Sequence, residues 1–131
     1  MNRKVTIIAS NGNLFDAYKV FNIAAAAGAS DDEVAIFFTF DGLNLIHKDL
    51  HQHLPVPAGK KHDLERFKKA NVPSIPEMLQ MIQEMNVKLI ACQMSMNVMN
   101  VKKEDLVDGV DVGGAATFLD FAENADVSLT F

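Results

Sequence analysis

Val87-Lys88-Leu89-Ile90-Ala91-Cys92-Gln93-Met94-Ser95-Met96 is the stretch on which the fold turns. Its first half is a short, β-prone apolar run and its second half is helix-like. The change falls on Cys92, the chain's single cysteine. A strand running straight into a helix is the unit from which parallel α/β sheets are built. Such junctions lie at the carboxyl end of the sheet, where α/β domains place their sites. A thiol there faces the first turn of a helix, whose free N–H groups and dipole favour an anion. Cys92 is therefore the first candidate for covalent chemistry.

Working outward, the same alternation recurs. Val5-Thr6-Ile7-Ile8-Ala9 reads as a buried strand, ended by the turn residues Ser10 to Asn13. Leu14 to Ala27 has helical spacing, with Gly28 as its expected stop. Val34 to Thr39 is uniformly apolar, as in a strand covered on both faces. Ser74-Ile75-Pro76-Glu77 fits a capping box, followed by an apolar face of Ile75, Met78, Leu79, Ile82 and Met85. Val110-Asp111-Val112 is a short strand. Gly113-Gly114 opens a helix expected to bury Ala115, Phe118, Leu119 and Ala122. Val127 to Phe131 alternates as an edge strand with one wetter face. Five strands separated by helices predict a three-layer α/β/α sandwich with a mostly parallel sheet and right-handed crossovers.

The segment from His47 to His62 breaks this rhythm. It holds all four histidines with Pro55, Pro57 and Gly59, and reads as a long loop of functional or mobile character. Asp63 is expected to cap a short helix after it.

Composition bounds the function. The chain has 131 residues, suiting one domain over 1–131, and is 49% hydrophobic and 22% charged, as compact domains are. A net charge of −5 argues against nucleic acid, whose phosphates require clustered bases. Lys60-Lys61, Arg66 and Lys68-Lys69 read as a solvated face. One cysteine makes no internal disulfide, and no signal-peptide pattern opens the chain, so a cytoplasmic location is expected. Apolar runs such as Val34 to Phe40 fall far short of the roughly 18 residues of a membrane span.

Each candidate chemistry has a plainer alternative. Cys92 is either an accessible nucleophile or a buried cysteine acting as a small hydrophobe. His47 and His51 are four apart, one helical turn, and with His53 they read as a metal site for zinc or copper or as a polar lid over Cys92. Met94, Met96, Met99, Met78, Met81 and Met85 suit Cu(I) in principle and core filling in the main. For nucleotides there is no G-x-G-x-x-G and no P-loop. Ser10-Asn11-Gly12-Asn13 is only faintly like a flavin phosphate loop, and Gly113-Gly114 serves either an anion or close packing.

Three segments carry a family resemblance: Phe37-Phe38-Thr39-Phe40-Asp41-Gly42-Leu43, Ala91-Cys92-Gln93-Met94-Ser95-Met96-Asn97-Val98-Met99, and Gly109-Val110-Asp111-Val112-Gly113-Gly114-Ala115-Ala116-Thr117-Phe118-Leu119. With the helix from Ala17 to Gly28 and Pro73 to Glu77, the chain resembles the DsrE/DsrF/DsrH-like sulfur-relay family over nearly its whole length. It is most similar to the DsrE-like subgroup, often labelled "peroxiredoxin family protein". A true peroxiredoxin needs a thioredoxin-like fold and a different cysteine motif, and the sequence has neither. The resemblance implies a five-stranded parallel sheet, a homo-oligomer (trimer, hexamer or dimer), and a persulfide carried on Cys92. It also implies a rhodanese-type sulfur donor and a TusA-type acceptor; no cofactor is expected, with zinc or flavin as the alternative. Asp41 departs from the aromatic residue expected there, which changes the polarity of the pocket rim.

The expectation is thus a sulfur carrier or sulfurtransferase, with amides of the helix near Met94 and the Ser95 hydroxyl stabilising the sulfur. Asn11, Asp41, Gly42, Gln93, Met94, Gly113 and Gly114 would form the pocket. The rivals are a non-catalytic assembly or regulatory domain, a flavin or nucleotide binder, and a metal protein.

Overall fold

A computed structural model describes residues 2–131. The chain runs β1 (Lys4–Ala9), α1 (Leu14–Ala29), β2 (Glu33–Phe38), α2 (Leu64–Ala70), α3 (Ile75–Glu84), β3 (Lys88–Cys92), α4 (Gln93–Met99), β4 (Val110–Gly113), α5 (Ala115–Ala122) and β5 (Val127–Thr130). The strands form one sheet in the order β4-β3-β2-β1-β5, and every pairing is parallel. No helix among the described residues is long and apolar enough to cross a membrane.

The order explains the layers. From β1 to β4 the chain moves steadily toward one edge, then α5 carries it back across the sheet to β5 at the other edge. Right-handed crossovers that reverse their direction of travel must put their helices on opposite faces. Accordingly Val5, Ile7, Ala9, Val34, Ile36, Phe38, Leu89, Ala91 and Val110 pack with α1, α3 and Met96 of α4 in the main core. The alternate positions Ala35, Phe37, Ile90 and Cys92 form a second, smaller cluster with Phe118 of α5.

Local chemistry fixes the helix ends. Asn13 caps α1, its side chain accepting from the Asp16 N–H at 2.9 Å. Ser74 and Glu77 make the expected capping box at 3.2 and 3.1 Å, and Ile75, Met78, Leu79 and Ile82 are buried behind it, with Met85 partly so. Asn71 and Asn100 end α2 and α4 in the left-handed region at φ 57° and 55°, a conformation asparagine tolerates better than most residues.

Three expectations are corrected. Gly28 does not stop α1, which continues to Ala29 and is closed by Ser30. A Cβ on Gly28 would stand 2.9 Å from the Met85 sulfur, so the bare backbone serves helix packing there. Asp63 precedes α2 without capping it, and its carboxylate lies 3.4 Å from both His62 and Arg66 instead. On α5 only Phe118 is buried, while Ala115 and Leu119 are exposed. A single helix lying across a whole face touches it along one narrow stripe, here Phe118, Phe121 and Ala122.

Candidate functional site

Strand alternation decides where Cys92 points. Successive side chains alternate faces, so Cys92 shares with Ile90 the face covered by α5. The helix that follows, α4, turns the other way and buries Met96 in the α1–α3 core. The crossovers leaving β3 and β4 therefore diverge to opposite faces, which makes their carboxyl ends the switch point where open α/β sheets hold ligands. Cys92 stands at that point, directly across the ladder from Gly113. On the β2 side the ladder ends one residue earlier, at the Phe38–Ala91 pair.

Cys92 is 6% exposed and packs with Ala35, Phe37, Ile90 and Phe118. The Phe37 and Phe118 rings stack at 5.0 Å with 16° between their planes, a contact worth about 0.5–1.5 kcal/mol beyond burial. Cys92 occupies the N-cap position of α4, yet its side chain accepts no hydrogen bond from the first turn. The expected amide cradle for the sulfur is not formed in this state. The cause is the alternation: the thiol faces α5 while α4 leaves from the opposite side. Gly113 instead lets α5 close down, since a Cβ there would meet the Thr117 side chain at 3.0–3.1 Å. Gly114, the N-cap of α5, borders open space.

The other expected pocket residues divide into separate groups. Gln93 and Met94 are exposed in the first turn of α4, with the Gln93 amide donating to Asn97 at 3.1 Å. Ser95 is fully buried and its hydroxyl has no hydrogen-bond partner, an arrangement that costs about 1–3 kcal/mol. Asn11 and Asp41 line a polar recess of about 280 Å³ with Asn13 and Asn44, at the ends of β1 and β2, and Cys92 does not line it. Gly42 is buried beside it, its Cα held so close that a Cβ would overlap the Ala9 carbonyl oxygen.

The histidine segment is folded, and it belongs to the α1–α3 side. His47 bridges to Leu106, and its Nδ1 accepts from the Asp49 and Leu50 N–H groups at 3.1 and 3.2 Å. The His51 Nδ1 lies 2.7 Å from the His47 carbonyl oxygen, and Pro55 accepts from the Leu14 N–H at the start of α1. These rings staple turns, so the expected lid over Cys92 is replaced by a cover on the other face. The Nδ1 atoms of His47 and His51 are both engaged with the backbone. Among the described residues no group of three or more His, Cys, Asp or Glu is placed to hold a metal ion, and His53 is exposed.

Core filling describes Met78, Met96 and, in part, Met85, whereas Met81, Met94 and Met99 are exposed. Met94 and Val98, one turn apart on α4, are 61% and 65% exposed, and Leu119 on α5 is 63% exposed. A cleft of about 360 Å³ lies between α1, α2 and α3, walled by Tyr18, Phe67, Val72 and Met78. Burial and then the Glu77 carboxylate push the Tyr18 hydroxyl's pKa up, and that hydroxyl donates to the Pro73 carbonyl at 2.9 Å.

What the sequence reading missed is the aromatic cover of Phe37 and Phe118. Counting back by twos from Cys92 gives its own strand's face, but the ladder registers that bring Phe37 alongside are tertiary facts.

This architecture and the sequence have known counterparts. The model of the DsrE/DsrF/DrsH-like family matches residues 1–61 and 56–130. The chain belongs to that family. The chain is 33% identical over 154 residues to the sulfur carrier protein DsrE2 of Allochromatium vinosum, covering 97% of each chain. It is 31% identical over 155 residues to the uncharacterized protein YrkE of Bacillus subtilis, covering 97% of this chain and 96% of that one. The crystal structure of ychN from E. coli shares the fold at a TM-score of 0.73 and 19% identity, over 98% of this chain and 99% of the other. The two matched segments of the family overlap at 56–61, inside the histidine-bearing loop region.

Proposed function

We propose that this protein is a cytoplasmic sulfur carrier that holds sulfane sulfur on Cys92. The observation that carries the reading is the coincidence of the family's fold with a single cysteine at the β3–β4 switch point. The likeness to a named sulfur carrier over nearly the whole chain supports it.

The chemistry needs only this thiol and its partners. The Cys92 thiolate attacks the outer sulfur of a donor persulfide, R–S–SH. A new S–S bond forms at Cys92, the donor's S–S bond breaks, and its electron pair leaves on the donor thiolate, which takes up the proton. The transferred sulfur keeps its oxidation state, so no external oxidant, metal or flavin enters. Delivery to an acceptor thiol is the same step reversed. A rhodanese-type donor and a TusA-type acceptor fit this role. The exposed Met94 and Val98 suit a protein surface that is covered in a homo-oligomer or in a complex.

Intact mass spectrometry after incubation with a rhodanese and thiosulfate tests the reading. The expected result is a gain of one sulfur, removed by reductant and absent in Cys92→Ser. Wild-type protein that gains no sulfur from a loaded donor overturns it. The burial of Cys92 favours a second reading, a non-catalytic assembly domain with an inert thiol, for which that second outcome is the expected one.

A further inference from the structure

Accepting Cys92 as the sulfur-bearing residue raises the question of how so enclosed an atom is reached and by what. We propose that α5 is a gate over Cys92, latched by Phe118, and that it passes uncharged sulfur compounds in preference to anionic ones; the functional meaning of this filter rests on the carrier reading above.

The gate follows from how α5 is held. Phe118 is the one residue of the helix that is buried, and it packs directly in the Cys92 cluster against Phe37. Ala115, Ala116, Thr117 and Leu119 are all exposed, so releasing this helix uncovers little apolar surface besides the Cys92 cluster. Elements with few buried contacts open at a fraction of the global stability. The amino-terminal end of α5 begins at Gly113-Gly114, where Gly114 has open space around it and no side chain to restrict its backbone. Phe118 is thus both the latch and the wall of the thiol pocket.

The filter follows from charge. The ladder partner of Cys92 is Gly113, and the β2 residues in its cluster are Ala35 and Phe37, none of them cationic. The nearest charged position on this face by register is Asp111, exposed and paired with Ile90 one row below. The gate helix and its end carry Asp120 and Glu123, both exposed, and no base. The lysines that share this face, Lys4 and Lys88, begin β1 and β3, so Lys88 stands four residues and about 13 Å from Cys92. Lys4 is held over the Phe121 ring at 4.5 Å. An anion approaching the sulfur loses water among hydrocarbon and aromatic groups, meets only carboxylates, and finds no counter-charge. A neutral sulfane compound meets rings that sulfur contacts favourably.

Two thiol reagents that differ in charge measure this directly: neutral methyl methanethiosulfonate and anionic sulfonatoethyl methanethiosulfonate. In each, the thiolate attacks the alkylthio sulfur, an S–S bond forms, and the sulfinate leaves with the electron pair. The urea-unfolded chain supplies the intrinsic ratio of the two rates at the same cysteine. The native protein is expected to favour the neutral reagent over that ratio by about tenfold or more, the desolvated anion being unpaired. Phe118→Ala should speed both reagents and bring the ratio back toward the unfolded value. A native ratio equal to the unfolded one, or rates indifferent to Phe118→Ala in a folded variant, overturns the proposal. Wild-type labelling in low urea provides a measurement free of any variant's folding. A urea dependence shallower than that of global unfolding means that α5 opens alone, whereas an equal dependence overturns the gate. Gated labelling without sulfur loading from a rhodanese keeps the gate and removes the carrier, and ungated labelling with loading does the reverse.

Discussion

Cys92 of β3 and Gly113 of β4 face each other across a parallel ladder at the point where their crossovers part to opposite sides of the sheet. The pairing puts the thiol beside the one strand end where a side chain would obstruct the covering helix. A methyl group on Gly113 would press on Thr117 at 3.0–3.1 Å. Gly113→Val is therefore expected to push the first turn of α5 outward. Stability should fall by about 1–3 kcal/mol through overpacking, read as a lower urea midpoint. Cys92 should at the same time react faster with a neutral thiol reagent. A variant that loses stability while Cys92 reacts no faster would show that Gly113 serves packing alone.

The Ser74–Glu77 box offers a prediction with a pH sign. Hydrogen bonds from the Ser74 backbone, chiefly, and its side chain hold the Glu77 carboxyl below its ordinary pKa. The folded chain therefore releases this proton more readily than the unfolded one. The contribution to stability is complete above the ordinary glutamate range and is lost as the pH falls through the folded-state value. Ser74→Ala should lower stability at neutral pH by about 1 kcal/mol, as N-cap losses do. The Ser74 backbone donor to Glu77 survives in the variant, so the difference from wild type should shrink only slightly in acid, measured by denaturant unfolding at pH 7 and pH 3.

His47 should behave as a staple. Its Nδ1 holds the amides of Asp49 and Leu50, so His47→Ala is expected to quicken hydrogen exchange at those two residues. The loss should be about 1 kcal/mol, the usual net worth of such bonds. Cys92 labelling should not change, because this segment packs on the opposite face. A zinc-dependent stabilisation of wild type that vanishes in His47→Ala would instead restore the metal reading.

Much of the architecture was legible because short-range rules governed it. Apolar runs that both faces of the sheet cover, such as Val34 to Phe38 and Leu89 to Ala91, need no long-range partner to be recognised. The capping box at Ser74 is complete within four residues. Gly28 misled because glycine has two uses, ending a helix or letting two helices touch, and Met85 decides between them from far along the chain. Leu119 misled because helical spacing gives a stripe without saying how wide a partner it meets. The histidines stayed open in the sequence because four-residue spacing suits a metal, a lid and a turn alike, whereas the bonds from the Asp49 and Leu50 amides to His47 are visible only in the structure.

By itself the sequence determined a parallel α/β domain with its lone cysteine at a strand-to-helix junction, since periodicity and turn chemistry act within a few residues. Only the tertiary structure decided that the thiol turns toward α5 rather than into the amides of α4, and that Phe37 and Phe118 close over it. That outcome depends on strand parity, ladder register and the reversal of the last crossover, which join residues far apart in the chain and leave no local trace.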